Sequence, residues 1–220
     1  NAPEGVGIRV AVKDRRHGAR NPLAHLQLPD ITEQEVRDSM MLWDPLRFLE
    51  ACPSSDGACA MVIAAADSIS GDKPPTMYAG RDEVSPQAGR DCAADVYAQA
   101  GITDPRRDFD CAEVYVPFSW YEPMWLENLG FAPPGEGWKL TLDGATSLDD
   151  GGDIPWNCSG GVLSSNPIGA SGMIRFAEAA RQVRGDAGAH QVENARLALG
   201  HAYGGGAQFF SMWVVGADKN

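Results

Sequence analysis

The stretch "NCSGGVLSSNPIGASGMIRFAEAARQVRG" occupies residues 157–185, and its reading decides the fold. Its first part is small and strand-like. "NPIGASG" (166–172) is a tight, glycine-rich turn whose glycines let a backbone or a ligand come close. "MIRFAEAARQVRG" (173–185) has helical spacing, with Ile174, Ala177 and Val183 on one side and Gly185 as the stop. Its small, apolar composition predicts a central, buried helix from about Met173 to Arg184. A helix N-terminus directly behind such a turn offers unpaired N–H groups and partial positive charge, which suit an anion or a developing oxyanion. Alone the pattern is weak, because a glycine turn before a helix is more often only a turn.

Downstream, "NARLALGHAYGGGAQFFSMWVVG" (194–216) reads as two strands around a glycine turn, with Tyr203 at its mouth. Glycine weakens strands, so three in succession imply close approach of a backbone or ligand; the plainer reading is a loop with an exposed tyrosine. Upstream, "DFDCAEVYVPF" (108–118) is a strand ending at Pro117, and "AGRDCAADVYAQAGI" (88–102) a helix closed by Gly101. "SWYEPMWLENLGF" (119–131) is aromatic and helix-like. "APPGEGWKLTLDGATSLDDGGDIPW" (132–156) reads as loop with a hairpin around Asp143-Gly144.

Nearer the start, "GIRVAVKDRRHGARNPLAH" (7–25) is the end of a helix followed by a loop at Asn21-Pro22. "DITEQEVRDSMML" (30–42) is a short helix capped by Asp30 or Thr32. "CPSSDGACAMVIAAA" (52–66) is a turn at Ser55-Asp56-Gly57 leading into a strand buried on both faces. "SGDKPPTMYAG" (70–80) is a surface connection. Strands alternating with helices indicate an α/β fold with a mixed sheet.

The 220 residues suffice to bury a core, and the net charge of −12 argues against nucleic acid as the main partner. No run approaches the roughly 18 apolar residues of a membrane span, and no secretory signal pattern is present. The first residue is Asn1, consistent with a start inside a longer product. The five cysteines (Cys52, Cys59, Cys92, Cys111 and Cys158) form no C-x-x-C pair, so buried, reduced thiols in a cytoplasm are expected.

Three loops thus set one polar side chain beside small residues: "EVYVPF" with Tyr115, "SSNPIGASG" with Asn166, and "HAYGGGA" with Tyr203. In this order they resemble the C-terminal half of the thiolase superfamily. "NCSGG…NPIGASG" is similar to that family's Asn-x-x-Gly-Gly strand and Gly-His-Pro-x-Gly-x-Ser-Gly turn. "EVYVPF" stands where the family has Asn-Glu-Ala-Phe or His-Asp-x-Phe, and "HAYGGGA" where it has Cys-x-Gly. "CPSSDGACAMVI" resembles the Ser-Asp-Gly-Ala-Ala strand closing the first half, and "NPLAH" suits the lipid-transfer-protein-type members. The resemblance implies a layered α-β-α-β-α fold, of which this chain supplies mainly the C-terminal half. Residues 1–70 would be the end of the N-terminal half and residues 71–220 the C-terminal half.

The departures carry the functional expectation. The family's histidine base is replaced by Asn166, its second-motif Asn or His by Tyr115, and its third-motif cysteine by Ala202 followed by Tyr203. Claisen chemistry needs a thiolate and a base, so ordinary acyl transfer is not expected. A retro-aldol cleavage needs only an acid and a base, roles that two phenols can fill. With this pattern the chain resembles the actinobacterial aldolases that cleave a β-hydroxyacyl-CoA steroid side chain to a 17-ketosteroid and propionyl-CoA.

That resemblance implies Tyr115 and Tyr203 as the acid–base pair, with Asn166 and His201 in the catalytic set. Ser54, Gly169 and Ser171 are implied as contacts to the CoA part of the thioester, with Ser55 beside Ser54. It implies no further cofactor, no metal, a homodimer and a partner protein with an OB-fold domain. Trp120, Tyr121, Trp125 and Trp156 read as packing or as a wall for a flat sterol. The alternatives are a non-catalytic acyl-CoA or sterol carrier and a structural thiolase-like subunit.

Overall fold

The structure, a computed structural model, describes residues 2–61, 84–207 and 209–217. The chain opens with helix α1 (Gly5–Arg20) and a short α2 (Glu33–Asp38). Thr32, one of the two expected caps, closes a capping box with Glu35. A small hairpin follows, β1 (Met41–Trp43) and β2 (Leu46–Arg47). Next come α3 (Gln87–Ala100), α4 (Pro105–Asp108), β3 (Cys111–Val114) and α5 (Tyr121–Asn128). Then α6 (Gly137–Leu142), α7 (Gly161–Ser164), α8 (Ser171–Arg184), β4 (Leu197–Gly204) and β5 (Phe209–Gly216) complete it.

The expected mixed sheet is present: β3 runs parallel to β4, and β4 antiparallel to β5. Side chains of a strand alternate between faces. Gly200 and Ala202 of β4 therefore face α8, and His201 and Tyr203 face the other side. Helix α8 uses that smoothness. A methyl added at Gly172 would lie 2.9 Å from the Cβ of Ala202, and one at Gly200 would lie 3.5 Å from the Cα of Phe176. On the opposite face α3 packs as closely, Gly89 against the ring of Phe210. Trp125 of α5 fills the space above His201, Tyr203 and Phe210. The glycines after Tyr203 form the β4–β5 turn, with φ of 62° at Gly205 and 58° at Gly206, values glycine adopts freely.

Three readings are corrected. Residues 137–142 are helical rather than a hairpin loop; Glu127 accepts the N–H of Gly137, and a side chain there would collide with the carbonyl of Pro123. "NCSGGVL" is a left-handed turn at Gly160 and Gly161 followed by α7, not a strand. Gly160 is shaped by α1, since a methyl on it would meet the Cα of Gly18 at 2.3 Å. The buried strand expected over 52–66 is absent from its described part, 52–61; its remainder and the connection at 70–80 lie outside the described residues.

The fully buried face of α8 also differs from the apolar side expected. It carries Ser171, Arg175, Glu178, Ala179 and Gln182, while Ile174, Ala177 and Val183 are half-buried. The polar groups are tolerated because each is paired. Arg175 bonds Glu113 of β3 at 2.6 Å and Ser159 at 2.9 Å; Glu178 meets His190 at 3.1 Å; Gln182 bonds the main chain of His190 and Val192.

His17 of α1 is wholly buried and acts as a rivet to the 146–157 segment. Its Nδ1 lies 3.2 Å from the carbonyl of Asn157, and its Nε2 accepts the N–H of Leu148 at 3.2 Å. Burial lowers its pKa to about 3, so the folded protein keeps it neutral. Its contribution is complete above the unfolded value near 6.5 and is lost as pH falls toward the folded value. His17→Gln preserves a donor and an acceptor but cannot titrate. The parent should lose about 2 kcal/mol relative to that variant between pH 7 and pH 5 in urea unfolding. A difference independent of pH would contradict this account of His17.

Candidate active site

The sheet delivers two phenols to one place. Tyr115 follows the C-terminal end of β3, and Tyr203 lies near the end of the parallel β4. Their rings meet edge to face, with centroids 5.4 Å apart and an interplanar angle of 88°. Tyr121 stacks on Tyr203 at 5.6 Å, and Trp125 Nε1 donates to the carbonyl of Tyr115 at 3.0 Å. Backbone and rings therefore fix where both hydroxyls begin.

The turn before α8 supplies the third wall. Asn166 is buried, and its Oδ1 accepts from Tyr115 Oη at 3.2 Å and from Ser171 Oγ at 2.7 Å. Its Nδ2 donates to Cys52 Sγ at 3.1 Å. Its main chain pairs with Ser55, donating to Oγ at 3.1 Å and accepting from N–H at 3.2 Å. His25 Nδ1 lies 2.8 Å from that same Ser55 Oγ. An amide cannot serve as a base near neutral pH, so Asn166 holds and orients where a histidine would titrate.

Electrostatics give the two tyrosines different weights. Burial pushes Tyr115 above the ordinary phenol value, reinforced by the neighbouring Cys52. Tyr203 is pushed much further, by burial and by its bond to the Tyr121 hydroxyl. Both rest as neutral phenols. His201 is wholly buried behind them; its Nδ1 accepts the N–H of Tyr115 at 3.4 Å, and its Nε2 meets no partner among the described residues. Burial lowers its pKa to about 3, so it is a neutral support beneath the pair.

Of the seven residues singled out from sequence, Tyr115, Tyr203, Asn166, Ser171 and His201 form this cluster. Ser171, considered for CoA, spends its hydroxyl on Asn166. Ser54 is exposed, and the adjacent Ser55 makes the contacts to the turn. Gly169 is exposed, with open space where a side chain would stand. Trp125 and Trp156 are fully buried and pack the core. Tyr121, read from the sequence as packing or a wall for a flat sterol, stacks on Tyr203. Cys52 was not legible as a member, because nothing in its spacing joins residue 52 to residues 115, 166 and 203. Among the described residues no group of His, Cys, Asp and Glu is arranged to hold a metal, and no helix is long and apolar enough to cross a membrane. An open groove of about 510 Å³ lined by Arg106, Phe109, Asp153 and Val192 sits at the other end of β3, away from the phenols.

A family model described as thiolase C-terminal domain-like matches residues 75–217. The chain belongs to that family. Among curated relatives, it is 34% identical to an acetyl-CoA acetyltransferase of Methanothermobacter thermautotrophicus, over 89% of this chain and 54% of that protein. It is 32% identical to sterol carrier protein 2 of Homo sapiens, over 94% of this chain and 41% of that protein. It is 33% identical to the 17-hydroxy-3-oxo-4-pregnene-20-carboxyl-CoA lyase of Mycobacterium tuberculosis, over 80% of this chain and 49% of that protein. The chain thus spans about half the length of the curated relatives it matches. A solved structure, the Ltp2-ChsH2(DUF35) aldolase, superposes with a TM-score of 0.81 at 27% identity, over all of this chain and 60% of that one. The thiolase-like fold expected from the sequence is therefore the fold of this protein.

All five cysteines are thiols. Cys52 and Cys59 are half-buried with pKa values raised by burial, whereas Cys92, Cys111 and Cys158 are fully buried. Iodoacetamide should label Cys52 and Cys59 slowly in the native protein and faster as pH rises, and should reach the other three only on unfolding. Mass spectrometry of the labelled peptides measures this; native labelling of Cys111 or Cys158 at the rate of Cys52 would refute the packing described.

Proposed function

We propose that this chain carries the acid–base half of a retro-aldolase that cleaves a β-hydroxyacyl-CoA steroid side chain to a 17-ketosteroid and propionyl-CoA. The observation that carries the reading is the pair of phenols meeting at 5.4 Å beside an asparagine, where thiolases of the resemblance place ionisable or nucleophilic groups. Support comes from the mycobacterial lyase among the relatives and from the aldolase among the similar structures. The acetyltransferase relative has comparable identity, so overall similarity does not choose between them; the composition of the site is what favours cleavage.

The net change is one proton moved from the β-hydroxyl oxygen to the α-carbon. Tyr115 acts in its minor phenolate form, and after turnover the proton it has taken passes to the Tyr203 phenolate, whose ring meets that of Tyr115 edge to face. A base takes it from the β-hydroxyl oxygen, the bond between the α- and β-carbons breaks, and its electron pair forms the thioester enolate. An acid then protonates the α-carbon, leaving a ketone and a shortened acyl-CoA. Tyr203, held furthest above the usual phenol value, is the acid. Tyr115, raised less, is the base. The N-terminal end of α8 and its preceding turn lie beside Asn166, where partial positive charge favours an enolate oxygen. CoA enters as part of the substrate, and no separate cofactor is needed for these steps. By analogy with the aldolase of similar structure, the chain works with a DUF35-type partner. The homodimer, the partner's OB-fold domain and the cytoplasmic setting are what the family resemblance implies.

Tyr115→Phe and Tyr203→Phe each remove one oxygen. Each should slow cleavage by about 10²–10⁴ while KM changes little, read by mass-spectrometric release of ketone from full-length complex. Because burial holds the base above its ordinary value, the parental rate should climb with pH through the alkaline range. Parental rates in both variants would sink the mechanism; substrate binding without any cleavage by the parent would favour a carrier instead.

A further inference from the structure

The amide of Asn166 can sit in two orientations that exchange its oxygen and nitrogen. The hydroxyls of Tyr115 and Ser171 do not select between them, since a hydroxyl either donates or accepts. The group on the opposite side is Cys52 Sγ, 3.1 Å from Nδ2. With the amide reversed, Oδ1 would face the sulfur, whose S–H is only a weak donor. The main chain that carries the sulfur is anchored. Cys52 N–H is bonded to the carbonyl of Pro117 at 2.8 Å, and the Arg15 guanidinium grips the carbonyls of Leu49 and Ala51 at 3.2 and 2.9 Å.

We propose that Cys52 is a positioning residue: its sulfur holds the Asn166 amide with Oδ1 toward Tyr115 and thereby sets how firmly Tyr115 keeps its proton. An amide oxygen stabilises a phenol, whereas an amide N–H stabilises a phenolate. The inference rests on the reading of Tyr115 as base for its catalytic consequence, although the contact itself does not. The titratable and charged groups facing Tyr115 are Cys52, Arg175 and Tyr203, with neutral His201 behind its main chain.

The test is an alkaline titration of Tyr115 in the full chain, followed by NMR of tyrosine labelled at its hydroxyl-bearing carbon and assigned with Tyr115→Phe. Cys52→Ala frees the amide to turn and present Nδ2 to the phenolate. The ionisation constant of Tyr115 should then rise about tenfold, and the pH profile of cleavage should move to lower pH by the same factor. In an Asn166→Ala background the same cysteine change should leave Tyr115 unmoved, because the effect passes through the amide. An unmoved Tyr115 in Cys52→Ala, or an equal shift in both backgrounds, overturns the proposal. If Asn166→Ala does not fold, the Asn166 side-chain amide resonances decide: they must shift in Cys52→Ala, and their constancy overturns it. A shifted Tyr115 in protein that cleaves no β-hydroxyacyl-CoA would keep the positioning role and reject the cleavage reading.

Discussion

The buried ion pair between Arg175 and Glu113 is the constraint on which the site depends. Both side chains are almost completely removed from water, their atoms meet at 2.6 Å, and Ser159 bonds to both. Breaking such a pair by removing one partner typically costs about 3–5 kcal/mol, since the survivor is left charged and buried. Here it also sets geometry. Glu113 lies two residues before Tyr115, and Arg175 lies in the second turn of α8, behind Ser171 and Asn166. One contact therefore aligns the end of β3 with the beginning of α8. The smooth face of β4, made by Gly200 and Ala202, lets the helix approach closely enough for that contact to close.

Some of this was legible in the sequence. Helix α8 announced itself through its spacing and Gly185, which adopts the left-handed φ of 74° that ends a helix. The β4–β5 hairpin was legible because alternation and a glycine run leave few other readings. What stayed hidden depends on partners distant in the chain. Helix α6 begins with glycine and contains a β-branched threonine, and it forms because Glu127 caps it from α5. The buried face of α8 reads as polar, and partners from elsewhere in the chain, among them Glu113, Ser159, His190 and Asn21, make its burial tolerable.

The site was legible in part for the same reason. Tyr115, Asn166 and Tyr203 each stand at the end of a recognisable element, so the order of motifs found them. Cys52 carries no such mark. It reaches the cluster because residues 50–52 run beside 117–119, with Ser119 bonded to Glu50 and Cys52 to Pro117. An amide where the thiolase resemblance leads one to expect a titrating histidine limits what the site can do. An amide flanked by a phenol, a serine hydroxyl and a thiol orients protons without taking one.

On the proposed reading, this thiolase-like site breaks a carbon–carbon bond without a nucleophile. The direct measurement is product analysis of the full-length protein, with its partner, given a β-hydroxyacyl-CoA bearing a ring carbon at the β-position and no added CoA. The account predicts stoichiometric ketone and shortened acyl-CoA, with one solvent deuterium at the α-carbon when the reaction runs in deuterated water. It would be contradicted if that substrate were left intact while a linear β-ketoacyl-CoA was cleaved on addition of CoA, the outcome expected of acyl transfer.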